Sequence, residues 1–184
     1  MKASLLVTLL GLGYALPQLF GLWQPAAFGA WLRRFPRSDL WGYVLMPLGT
    51  VWFLWNLKQD QIADFAAFKP ALFIGFAVVG FGSCLFVRDF LAVRGLAVVV
   101  LLLAHLTLNA IRWVDTDWRL VVATWAYVWV VLAIWFTISP WRLRDFIGWL
   151  TANESRIRAT CLARLVFGLI VTLIGLVAIR KAGA

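Results

Sequence analysis

The sequence predicts an all-α polytopic integral membrane protein with about six transmembrane helices and two interfacial amphipathic helices. Hydrophobic residues make up 64% of the 184 residues and charged residues only 14%. Apolar stretches recur along the whole chain, and a helix of roughly 20 apolar residues is long enough to cross the hydrocarbon layer. Because these stretches are continuous rather than alternating, they favour membrane-spanning helices over a transmembrane β-barrel.

Six apolar segments are predicted to span the membrane. They lie at about 3–20, 40–57, 70–87, 90–111, 119–138 and 160–179. The first begins like a signal peptide, with Lys2 before an apolar run, but we interpret it as the first span. The short connections leave no room for a soluble domain, so a single transmembrane helical bundle is predicted over residues 1–184.

Two connections, at about 21–37 and 140–157, have the composition of helices that lie in the membrane interface. Each combines tryptophan and phenylalanine with several arginines. Aromatic side chains enter the boundary of the acyl chains, whereas arginine faces the lipid head groups. The sequence therefore predicts an interfacial helix in each connection.

The same two connections also predict a parallel internal repeat of the form span, interfacial helix, span. Both contain the spacing Trp-x4-Phe-x2-Trp-Leu, beginning at Trp23 and at Trp141. The span that follows each motif holds two glycines seven residues apart. These glycines are Gly42 and Gly49 in the second span and Gly168 and Gly175 in the sixth. The alternative is a chance match, since the chain contains 12 tryptophans.

The net charge of +9 is explained by membrane lipids as partners rather than by nucleic acid, because the Lys and Arg residues lie between the spans. The connections after the first, third and fifth spans hold ten of the 17 Lys and Arg residues. By the positive-inside rule, the Arg-rich connections 33–37 and 142–158 are predicted to be cytoplasmic and both termini outside. The predicted location is a bacterial inner membrane.

Polar side chains form a stripe along the fourth span. Arg94, His105, Asn109 and Arg112 fall on one helical face, which we expect to point into the bundle or a cavity because polar groups are costly in lipid. One interpretation is a cofactor site, with His105, Asn109 and Arg94 binding a quinone, a haem or a pigment. The other is a histidine hydrogen-bonded to Asn109 or a neighbouring helix, with both arginines extending to opposite interfaces.

Two further sets of residues are candidate contacts. Trp125 and Trp129 share a face of the fifth span and lie too deep for an aromatic belt, so a partner protein, a lipid or a flat cofactor is predicted there, with core packing as the alternative. Gly168 and Gly175 allow close approach of another helix.

No catalytic chemistry is predicted. The acidic residues lie in connections or at span ends, and the chain lacks a phosphate-binding loop, a metalloprotease motif and a nucleophile elbow. Cys84 and Cys161 are too few for a structural zinc site and are interpreted as small apolar residues.

These observations predict a non-catalytic structural or accessory subunit of a larger membrane complex, whose partners are other membrane-protein subunits or further copies of the chain. One alternative is a cofactor-binding subunit that uses the polar stripe. The second is a small oligomeric channel or transporter in which the stripe lines the path. No motif specifies a cofactor.

Overall fold

A computed structural model describes residues 2–59, 68–87 and 89–182. Within these ranges the chain is helical and contains no strand, which confirms the predicted all-α class.

Eight helices can be followed in the described ranges, and the last continues through a π-helical segment. They are α1 (Ala3–Trp23), α2 (Pro25–Arg34), α3 (Asp39–Gln59), α4 (Lys69–Phe86), α5 (Leu91–Ile111), α6 (Arg119–Ile138), α7 (Pro140–Leu150) and α8 (Glu154–Leu173), with a 3-10 turn at Phe35–Arg37, the π segment Ile174–Ile179 and a last turn Arg180–Ala182.

Five of the described helices are long and apolar enough to cross a membrane: α1, α4, α5, α6, and α8 with its extension. These helices are compatible with the predicted polytopic membrane protein. The segment predicted as the second span is helical as α3 and has 21 residues. Polar residues at both ends and several tryptophans make it less apolar than the other five, so the count of six remains a prediction.

The helices predicted in the interface are shorter than the connections that contain them. Helix α1 extends to Trp23, and Pro25 begins α2, where the missing N–H of proline is tolerated. Helix α7 ends at Leu150. The extended backbone of Asn153 (φ −136°) precedes α8, which begins at Glu154, so residues 154–158 belong to that helix.

The described chain divides into two compact units. Unit 1 comprises Met1–Arg33, Leu103–Val131 and Arg144–Ala184, and unit 2 comprises Arg34–Leu102 and Leu132–Leu143. Helices α5 and α6 each contribute to both units.

In unit 1, α1 and α8 run antiparallel and in close contact. Gly175 lies against Thr8, and Gly168 lies against Ala15. Further along α1, Gly21 lies against Cys161, so successive residues of α1 meet earlier residues of α8. Small side chains allow this approach because no large group stands between the two backbones.

The apolar core of unit 1 shows which chain segments share an end of that unit. Its buried members come from the start of α1, the end of α5 and the connection that follows it, the start of α6, and the end of α8 with its π segment. They are Val7, Ile111, Val114, Val122, Trp125, Val171, Ile174 and Ile179. A second cluster lies where α2 meets the start of α8, and it consists of Phe28, Ile157 and Cys161.

In unit 2, α3 packs against two helices in opposite senses. Phe53 of α3 lies 4.8 Å from Phe76 of α4 between ring centroids, and Thr50 contacts Gly80, so these helices are antiparallel. In contrast, α3 and α5 are parallel: Gly42 lies against Leu91, Gly49 lies against Val98, and Gly95 lies against Met46.

Candidate functional site

The candidate site is a polar pair on α5. Asn109 Nδ2 donates a hydrogen bond to His105 Nε2 at 2.9 Å, and both side chains are exposed. The two residues are four apart, so a regular helix places them on adjacent turns of one face. His105 lies about 6 Å along the axis from the middle of α5, a distance shorter than the half-thickness of about 15 Å of a hydrocarbon layer that α5 is long enough to span.

This geometry bears on the two environments that were predicted for the polar stripe of α5. The alternative in which His105 bonds to Asn109 is the observed contact. The expectation that the stripe points into a bundle or cavity is not met at these two residues, because both lie on the exposed surface of the chain.

The other members of the stripe do not join this pair. Arg94 lies in the first turn of α5 and belongs to unit 2, whereas His105 and Asn109 belong to unit 1. The Arg94 Nε atom is buried and has no hydrogen-bond partner in the described chain. Arg112 follows α5, where its guanidinium lies 5.0 Å from the Trp113 ring centroid.

The pair retains unused hydrogen-bonding capacity. Because Nε2 of His105 accepts from Asn109, the imidazole proton lies on Nδ1. Neither His105 Nδ1 nor Asn109 Oδ1 bonds another group in the described part of the chain. The pair therefore presents donors and an acceptor outward on an apolar helix that is long enough to span a membrane.

Trp125 lies in an aromatic cluster inside unit 1. It is 8% exposed, and its ring centroid lies 5.1 Å from Tyr14, 5.4 Å from Phe167 and 4.2 Å from Trp129. The three contacts are edge-to-face arrangements, which aromatic rings prefer. Trp125 thus fills the apolar core of this unit, and Trp129 packs at the edge of that core.

Gly168 and Gly175 are occupied within the chain by α1. A Cβ atom at Gly168 would lie 2.9 Å from the backbone oxygen of Gly11, and one at Gly175 would lie 2.7 Å from the backbone nitrogen of Thr8. The close helix approach predicted from these glycines is therefore made to α1.

Two features were missed by sequence reasoning. Gln18, in the apolar run of α1, is 6% exposed. Its Nε2 donates a hydrogen bond to the backbone oxygen of Tyr14 at 3.1 Å, and its Oε1 is buried without a partner in the described chain. The sequence signal for this feature was a single side-chain amide, that of Gln18, within an apolar segment. The second feature is a pair of hydrogen bonds to backbone oxygens at the end of α7. Arg33 Nη1 donates to the backbone oxygen of Thr151, and Arg156 Nη1 donates to the backbone oxygen of Trp149, each at 3.0 Å.

Among the described residues, no three His, Cys, Asp or Glu side chains are grouped so that they could hold a metal ion. Cys84 and Cys161 are free and buried. No protein-family model, no curated protein and no solved structure matches this chain.

Proposed function

We propose that this protein is a non-catalytic structural or accessory subunit that acts by assembling with other membrane-protein chains through the exposed face of α5. The observation that carries the proposal is the His105–Asn109 pair, which lies within an apolar span and is exposed. A protein partner on this face would remove the pair from lipid and complete its hydrogen bonds.

Exposed apolar side chains do not indicate a partner surface, because lipid-facing residues of any membrane protein are apolar. Exposed polar groups within a span are different. Leaving an amide or imidazole group without a partner in hydrocarbon costs several kcal/mol. Interhelical hydrogen bonds between polar side chains are a common means of holding transmembrane helices together.

The local geometry favours assembly over the two alternatives. A haem or pigment bound through His105 Nε2 would have to displace the Asn109 amide, which already bonds that atom. A small oligomeric channel lined by the stripe would need polar groups along the whole face, whereas the Arg94 Nε atom is buried in unit 2 and Arg112 lies beyond the end of α5.

The proposed topology has six spans, with α3 as the sixth crossing helix. Helices α1 and α8 are antiparallel. If only α4, α5 and α6 crossed between them, α8 would run parallel to α1. If α3 also crosses, α8 runs antiparallel to α1, as observed. In agreement with this crossing, α3 runs antiparallel to α4 and parallel to α5.

This topology puts both termini on one side of the membrane and α2 and α7 on the other. The contacts between Gly29 and Ile157, and between Arg33 and Thr151, support a common side for the two short helices. We assign α2 and α7 to the interface of the Arg-rich cytoplasmic side of a bacterial inner membrane, with the termini outside.

The parallel repeat belongs to the same proposal, at the level of the short helices. Phe28 and Trp31 stack at 6.3 Å and 25°, and Phe146 and Trp149 stack at 6.2 Å and 25°. The glycine pairs do not share a packing role, because one contacts the antiparallel α1 and the other the parallel α5.

The proposal is tested by extracting the chain from its native membrane in a mild detergent and measuring the native mass. We expect a species heavier than one chain and its bound lipid. A lone monomer in several mild detergents would contradict the proposal. An absorption spectrum and solvent extraction on the same sample test for haem, pigment or quinone, any of which would favour the cofactor alternative.

A further inference from the structure

We propose that the partner on the exposed face of α5 is a second copy of this chain, related by a two-fold axis along the membrane normal and joined through His105 and Asn109. This inference rests on the proposed function, because it names the partner that the assembly surface accepts.

The His105–Asn109 pair is self-complementary in its hydrogen bonding. With Nε2 of His105 occupied, the free groups are the Nδ1–H of His105, the second Nδ2–H of Asn109 and the two lone pairs of Asn109 Oδ1. Donors and lone pairs are equal in number, so two copies can satisfy each other with none left over. A two-fold interface places the same groups of both chains opposite each other.

The depth of the pair along α5 also favours a second copy as the partner. A partner helix must offer its donors and acceptors at the level of His105, because a polar group elsewhere in hydrocarbon is itself costly. Two copies inserted with the same topology have parallel α5 helices and place the pair at the same level. A partner of another sequence would need a matching polar group at that depth.

The residues around the pair are compatible with a two-fold contact. Leu106 is 37% exposed on the same side of α5, and it offers apolar packing next to the hydrogen bonds. Arg112 is two turns beyond His105, on the same face, and its guanidinium lies over the Trp113 ring. This contact directs the guanidinium to the end of the helix, while the backbone of Arg112 stays on the face that carries His105.

The first test is the self-association of the purified full-length chain in mild detergent, measured by native mass spectrometry and by dilution. We expect a dimer. Replacing the pair by leucine, His105→Leu with Asn109→Leu, should raise the dimer dissociation constant at least about tenfold, the equivalent of one interhelical hydrogen bond or more. The matched control is Thr124→Val, which alters an exposed polar residue of α6 and should leave the dissociation constant unchanged.

The second test does not depend on the folding of the double variant. In a background with Cys84→Ala and Cys161→Ala, Arg112→Cys should form a disulfide-linked dimer in membranes under mild oxidation. Leu9→Cys, an exposed position of α1, is the control and should remain monomeric.

The outcomes separate this inference from the proposed function. A dimer that is weakened by the double substitution His105→Leu with Asn109→Leu supports both this inference and the proposed function. A heavier complex with a different protein, lost in the leucine variant, overturns the second copy as partner and leaves the accessory role standing. A dimer that the leucine pair does not weaken, or an Arg112→Cys chain that does not cross-link, overturns this inference. A lone monomer overturns both.

Discussion

Single glycines determine how closely α1 and α8 approach. At Gly11, an added Cβ atom would lie 2.6 Å from the Thr172 backbone nitrogen and 2.8 Å from the Gly168 oxygen. Gly13, two residues away on the same helix, has no atom within 4 Å of that position. Two glycines of one helix thus have different roles, because helical periodicity turns only one of them towards α8.

We therefore predict that Gly11→Ala destabilises the protein by about 1–3 kcal/mol, the usual cost of inserting a methyl group into a packed contact. The added methyl group meets backbone atoms, which cannot rotate away. The measurement is thermal or denaturant unfolding of the detergent-solubilised protein.

Gly13→Ala is the matched control. It should be neutral or stabilising by up to about 1 kcal/mol, since alanine is the better helix former. Equal effects of the two substitutions would contradict the observed contact between α1 and α8.

At the scale of helices, the antiparallel register of α1 and α8 brings a glycine next to a cysteine. A Cβ atom at Gly21 would meet the Cys161 sulfur, near the cluster where α2 joins the start of α8. Disulfides form only between cysteines whose Cβ atoms lie about 3.5–4.5 Å apart, so this proximity reports the register directly.

We predict that Gly21→Cys forms a disulfide with Cys161 under mild oxidation. Labelling the denatured protein with a maleimide mass tag should then detect only Cys84, and reduction should restore the other two thiols.

Gly13→Cys provides the control, because its position faces open space. It should leave every thiol available to the mass tag. Cross-linking at residue 13 instead of residue 21 would show that α1 and α8 have a different register.

At the scale of the whole chain, helix direction and membrane topology are linked. An antiparallel α1 and α8, together with an α3 that runs parallel to α5, fit an even number of crossings. The apolar core that joins Val7, Ile111 and Ile179 likewise brings the start of α1, the end of α5 and the end of α8 to one end of unit 1.

We predict that single cysteines at Lys2 and Asp115 react with a membrane-impermeant reagent from one side, and that those at Arg34 and Arg158 react from the other. The chain would carry Cys84→Ala and Cys161→Ala, and intact and inverted vesicles would be compared. If Lys2 and Asp115 react from opposite sides, α3 does not cross and five spans remain. If Arg34 and Arg158 react from opposite sides, α2 and α7 do not share an interface.

The sequence alone predicted the lipid environment and the helical secondary structure. Long apolar runs can satisfy their backbone groups in lipid only as helices, so the helical class and the membrane location followed from composition and segment length. Short helices occur in both segments that were predicted to be interfacial, but their ends depended on Pro25 and Asn153, where local backbone geometry stops one helix and starts the next.

Only the tertiary structure decided which face of each helix meets protein. Periodicity put His105 and Asn109 on one face but could not show that this face is exposed. It identified Trp125 and Gly168 as contact residues without showing that their contacts lie within the chain, with Tyr14 and with α1. The physical reason is that in lipid an apolar face suits acyl chains and neighbouring helices equally well, so the choice between them depends on the shapes of helices distant in sequence.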